Sequence, residues 1–317
     1  MTPRPSLADI DALLSDEAMT ALRARTDFRE VVEELIAESL ANYRTFDAAG
    51  RWMFADMGRS ALYIAALILD AQPGGVSAAA LTAAALGNRA SSRGRVAQFI
   101  RFAQDHGEIA VPPGSEHWTQ RRLILKPVFV DRARRRSIND ARVISRLAPD
   151  IAPLVDALED DTTHRRFLTW SGVLATLERV VGPETPVTMF LHRHSGMRIL
   201  YHMTLEQPSD RPQMLSEAPL SRNHLSHLYE VSRAHINRLL ADAEADGLLT
   251  CPTPTRVVFS RALSDDFEKT VAFSIQLNRA AFAATLATAM EATPSQDQAS
   301  APTNPAVSPL AASGRQA

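Results

Sequence analysis

A block of apolar positions closed by a glycine occurs twice in this chain, 140 residues apart. Val96-x-x-Phe99-Ile100-x-x-Ala103-x-x-x-Gly107-x-Ile109 and Ile236-x-x-Leu239-Leu240-x-x-Ala243-x-x-x-Gly247-x-Leu249 coincide at every apolar position. The spacing i, i+3, i+4, i+7 predicts a helix with one buried stripe, and the glycine predicts its stop. Downstream, Arg122-Leu123-Ile124-Leu125 lines up with Arg256-Val257-Val258-Phe259, and upstream Leu62-Tyr63 lines up with Leu200-Tyr201. A weaker match sets Val32 beside Trp170 and Ile36 beside Leu174. Because helix, glycine stop and strand recur in the same order, two diverged copies of one unit explain the pattern better than chance likeness among helices.

The second copy is the plainer. Leu220 to Tyr229 reads as a short helix with Leu225, Leu228 and Tyr229 inward, and Val231 falls in a turn. Ser232 suits the N-cap of a helix over Arg233 to Asp246. With Ile236, Leu239, Leu240 and Ala243 buried, Ala234, Asn237, Arg238 and Ala241 point the other way. Leu248-Leu249 then starts a strand, Cys251-Pro-Thr-Pro-Thr255 makes a tip, and Arg256 to Phe259 returns.

The run Leu225-x-x-Leu228-Tyr229-x-Val231-Ser232-Arg233-x-x-Ile236-x-Arg238-x-Leu240-x-x-Ala243-Glu244-x-x-Gly247-Leu248 resembles the DNA-binding core of MarR-type and related winged helix-turn-helix transcriptional regulators. With the first copy, the resemblance covers roughly Gly58 to Leu125 and Gly196 to Phe259. It implies a recognition helix in the major groove of double-stranded DNA and a hairpin wing beside the phosphates. Carried onto this chain, the groove-facing set is Ser232, Arg233, His235, Asn237 and Arg238, with Arg256 in the wing. The first copy contributes Arg93, Arg95, Gln98 and Arg101, with Arg121 and Arg122 in its wing. Its turn, Asn88 to Ser92, is longer than usual for the family, because Leu81 to Val96 spans four residues more than Leu225 to Ile236.

The expected fold is therefore mainly α with small β-hairpin wings, as tandem winged helix-turn-helix units flanked by packing helices. The segments are an N-terminal helical part (1–57), a first unit (58–130), a helical connector (131–195), a second unit (196–263), a C-terminal helix (264–291) and a tail (292–317). Asp27 to Asp47 is amphipathic, with Val31, Val32, Leu35, Ile36 and Leu40 on one stripe. The tail is rich in Pro, Ala, Ser, Thr and Gln and is expected to be disordered. A net charge of -2 allows a basic face and excludes a generally polycationic protein. Between Arg89 and Arg136 there are 11 Lys and Arg against 4 Asp and Glu, whereas Leu220 to Arg261 holds 5 against 4. Non-specific phosphate affinity is thus expected from the first unit, including the run Arg132, Arg134, Arg135 and Arg136.

Cys251 is the sole cysteine, so no intrachain disulfide or thiolate metal cluster forms. His192, His194 and His202, and again His224, His227 and His235, lack the accompanying Cys or carboxylate framework of a zinc site. No Gly-x-Ser-x-Gly, phosphate-cradling Gly-rich loop or paired catalytic motif occurs. The expectation is a non-enzymatic, cofactor-free, cytoplasmic regulator that does not enter membranes. Members of the resembled family usually bind DNA as twofold dimers, so the resemblance implies that the fused copies form a dimer made from one chain, with room for further homo-oligomer formation and for a small-molecule effector. Two other readings stay open: a plasmid-type replication initiator, and a winged-helix protein-interaction scaffold of a chromosome-organising complex.

Overall fold

Capping and stripe burial dictate the helical ends and faces in the computed structural model, which describes residues 12–87, 91–114, 117, 119–175, 185–208 and 213–291. These residues are mainly helical, with a few small antiparallel strand pairs. The chain opens with α1 (Asp16–Arg23), α2 (Phe28–Thr45) and α3 (Ala48–Met53). Ser15 caps α1 by accepting the Ala18 N–H, and Asp47 caps α3 by accepting the Gly50 N–H. On α2 the buried stripe is Phe28, Val31, Val32, Ile36, Leu40 and Tyr43.

The first repeated unit contains α4 (Met57–Ala71), α5 (Ala78–Gly87), α6 (Arg93–Asp105), β1 (Ile109–Ala110) and β2 (Ile124–Leu125). The helices α7 (Pro127–Ile144), α8 (Leu154–Ala157), α9 (Asp161–Ala175) and α10 (Thr188–His192) follow. The second unit contains α11 (Gly196–Leu205), β3 (Glu217–Pro219), α12 (Arg222–Leu228), α13 (Arg233–Ala245), β4 (Leu249–Thr253) and β5 (Arg256–Phe259). The long α14 (Arg261–Glu291) closes the described chain. Two expected boundaries move: residue 130 falls inside α7, which Pro127 starts, and residue 263 falls inside α14. The tail 292–317 lies outside the described residues, as do Asn88, Arg89 and Trp118.

The two units repeat one another in detail. Val96, Phe99, Ile100 and Ala103 are buried on α6, and Ile236, Leu239, Leu240 and Ala243 on α13. Burying each large side chain of this kind stabilises by about 1.5–3 kcal/mol. Both helices end on a left-handed glycine, Gly107 at φ 69° and Gly247 at φ 68°. The amide after each glycine then reaches back, Glu108 to the Ala103 carbonyl at 2.8 Å and Leu248 to the Ala243 carbonyl at 2.9 Å. The hairpins share a register, with Ile109 opposite Leu125 and Leu249 opposite Phe259.

They differ at two places. In the second unit β3 adds to the hairpin in the order β3-β5-β4, whereas among the described residues the first has a single bridge between Ser77 and Arg122 at the matching position. The extra residues before α6 are partly absorbed in α5, which runs for 10 residues against 7 in α12.

The flanking helices cross over between the units. Helix α2 precedes the first unit but packs on α11 of the second, while α9 precedes the second unit but packs on α4 of the first. Each also meets the helix that trails its own unit, α2 against α7 and α9 against α14. Named contacts fix both crossings. The Arg198 guanidinium on α11 lies 4.0 Å from the Tyr43 ring centre on α2. Gly172 brings α9 close to α4: a Cβ there would stand 2.5 Å from Ile68 Cγ2. No helix of the described residues is long and apolar enough to cross a membrane.

Candidate nucleic-acid interface

Burying the Ile236 stripe forces the opposite side of α13 outward. Ser232 caps the helix, its Oγ accepting the His235 N–H at 3.1 Å. On the outward face, Arg233, Asn237 and Arg238 are exposed and have no hydrogen-bond or ion-pair partner among the described residues. On α6 the equivalent cap is Ser92, whose Oγ accepts the Arg95 N–H at 3.3 Å. There Arg93, Gln98 and Arg101 are likewise exposed and without such partners among the described residues. Six flexible donors thus project from two rigid helix faces.

Several residues assigned to the same surface by sequence have other commitments. His235 is half-buried, with Nε2 2.9 Å from the His194 carbonyl oxygen and its ring edge-on to the His194 ring at 6.1 Å. It is therefore turned toward the start of α11, where its imidazole gains a hydrogen bond, and does not project with Arg233. Arg95, its counterpart on α6, makes the equivalent move toward the start of α4, with Nη1 3.6 Å from Asp56 Oδ1. Asp56 caps α4 and also pairs with Arg59 at 3.4 Å. Burial lowers the pKa of the His194 imidazole, and the nearby Arg59 and His235 add to that effect.

In the hairpins, Arg256 is paired with Glu217 across β5 and β3. Arg122 is 61% exposed and stands 3.9 Å from Asp70, a long contact that leaves its guanidinium in solvent. Arg121 is half-buried beside Gly114. The arginine run on α7 is mostly neutralised. Arg132 is buried against Glu108, Arg134 pairs with Asp161, and Arg136 lies 3.5 Å from Asp140, so of the run only Arg135 is exposed and unpaired among the described residues. Asp140 and Asp161 lie beyond the segment Arg89 to Arg136, so the local excess of positive charge overstated the free charge of the first unit.

One residue that the sequence did not single out belongs to this surface. Arg222, first residue of α12, donates to the Pro254 carbonyl at the hairpin tip. With Asn237, Cys251, Pro252, Thr253 and Pro254 it lines a depression of about 540 Å³ between α13 and the tip. The signal was available: Ser221 caps α12, which places Arg222 at the helix start facing the hairpin. Burial pushes the Cys251 thiol pKa up, so it is not activated toward oxidation at neutral pH. Among the described residues no group of three or more His, Cys, Asp or Glu could hold a metal ion.

The arrangement can meet a polyanion with flat, acceptor-rich edges. Arginine forks match paired acceptors such as those of guanine, and Asn or Gln amides match the donor-acceptor pair of adenine. No family model, curated protein or solved structure matches the chain.

Proposed function

We propose that this chain is a non-enzymatic, sequence-specific regulator that binds double-stranded DNA through two winged helix-turn-helix units. In each unit the order is helix, third-strand segment, two helices, hairpin, with α6 and α13 as recognition helices and the hairpins as wings. The carrying observation is the repeated face: two helices with serine caps in equivalent places, each displaying Arg, Asn or Gln side chains with no partner among the described residues. Long flexible donors held out without partners are available to base edges and phosphates. The crossed flanking helices support one chain acting as its own pseudo-dimer. Control of transcription in the cytoplasm, as in MarR-type regulators, is the role that fits.

Selection of bound fragments from genomic DNA at moderate salt tests this. Enrichment of a sequence that R233A/N237A/R238A loses supports DNA reading. Retention of protein partners with no DNA enrichment supports the interaction scaffold instead.

A further inference from the structure

The crossing of α2 and α9 is reciprocal: the leading helix of each unit packs on the first helix of the other. Two copies related by translation would not make both contacts, because a head-to-tail relation links unlike surfaces in one direction only. Reciprocal contacts are the mark of a twofold relation. A further bond lies where such an axis must pass. The Ser195 N–H donates to the Ala55 carbonyl at 2.6 Å, joining the residues just before α11 to those just before α4, which are near-equivalent in the two copies.

The faces so related are not alike. Arg93 and Arg233 match, but Ala97, Gln98 and Arg101 stand on α6 where Asn237, Arg238 and Ala241 stand on α13. From these two observations, and resting on the DNA-binding reading above, we infer that one chain recognises a single asymmetric duplex site made of two unlike half-sites in inverted orientation. The α13 half presents Asn237 beside Arg238, chemistry suited to adenine next to guanine. The α6 half presents the Gln98 amide, suited to adenine, with Arg101 about one turn further along the helix.

The test is selection from a random duplex pool with the full chain and with A97N/Q98R/R101A, which gives α6 the same reading face as α13. The native chain should enrich two different half-sites, inverted, and the triple variant should convert the α6 half into a copy of the α13 half. Arg238→Ala should relax base preference at least tenfold in one half-site and leave the other unchanged, an arm that stands even if the triple variant folds poorly. Enrichment of direct repeats or of a perfect palindrome by the native chain overturns the inference, as does relaxation of both halves by R238A. Enrichment of nothing at all by native protein defeats the DNA-binding reading itself.

Discussion

Arg132 and Glu108 form a two-point ion pair in the interior, Nη2 to Oε1 at 2.6 Å and Nη1 to Oε2 at 3.1 Å, with side chains 3% and 1% exposed. The pair fastens α7 to the residue that leads into the first hairpin, and the Tyr63 hydroxyl donates to the Phe129 carbonyl nearby at 2.6 Å. Both charges have left water, and apart from Asp47, which reaches Arg132 Nη2 from the surface at 3.4 Å, each depends on the other. Removing one leaves a buried charge uncompensated, at a cost of about 3–5 kcal/mol. Glu108→Ala or Arg132→Ala should therefore show that loss in urea denaturation, while E108L/R132M should recover most of it. A loss below about 1 kcal/mol in both single variants would mean that water reaches the pair.

Arg238 projects opposite Ile236 and Leu240 and makes no intrachain bond among the described residues. Arg238→Ala should lower specific DNA affinity by about 1–3 kcal/mol and leave the thermal melt unchanged. An unaltered binding isotherm would remove the residue from the interface.

Free arginines and paired arginines should differ in salt dependence. Replacing Arg93 and Arg101 by Ala should reduce the slope of log affinity against log salt by roughly 0.9 for each phosphate that is no longer neutralised. Replacing Arg256, already matched by Glu217, should change it less. Equal changes would show that the Arg256–Glu217 pair opens on binding.

His164, on α9, is 1% exposed, its Nε2 3.5 Å from Ser137 Oγ of α7 and its ring 6.4 Å from the Phe167 ring, centre to centre. Burial, then the charge of Arg134, lowers its pKa from 6.5 to about 4; Arg165 adds to this and Asp161 and Asp131 oppose it. Below pH 6.5 the unfolded chain binds a proton that the folded chain refuses. Stability present above that pH is therefore lost on acidification toward 4, by up to about 3 kcal/mol from this group. His194 and His202 are shifted in the same direction. His164→Leu should flatten the difference between denaturation at about pH 7.5 and about pH 5; an unchanged difference would assign it to the other histidines.

Gly247 sits at φ 68°, and a Cβ added there would meet nothing within 4 Å, so the backbone alone resists substitution. Gly247→Ala should cost about 1 kcal/mol and Gly247→Asn less, because asparagine tolerates the left-handed region. Equal costs would point to steric conflict instead.

What the sequence made legible was local. The stripe on α13, its serine cap and its terminal glycine all lie within sixteen residues of one another, and each leaves its own chemical trace. The equivalent positions on α6 could be read by the same rules. Strand β3 could not, because Glu217–Pro219 is three residues long, ends on proline and has no alternation to mark it. The free charge of the first unit was misjudged for a related reason. Arg134 meets Asp161, 27 residues downstream, and Arg136 meets Asp140, both carboxylates outside the segment Arg89 to Arg136, so a sum over that segment does not register them. His235 was placed in the outward set by the resemblance to winged-helix regulators, whereas the neighbouring His194 carbonyl decides where its ring goes.

The reciprocal crossing of α2 and α9 also changes how the molecule responds to dilution. Two separate chains that exchanged helices in this way would part below their dissociation constant. Here the residues linking α7 to α11 keep the second unit near the first at an effective concentration on the order of millimolar, whatever the protein concentration outside. Cutting the chain between α7 and α9 should therefore convert a concentration-independent assembly into one governed by mass action, with each fragment left holding a helix whose apolar face belongs to the other.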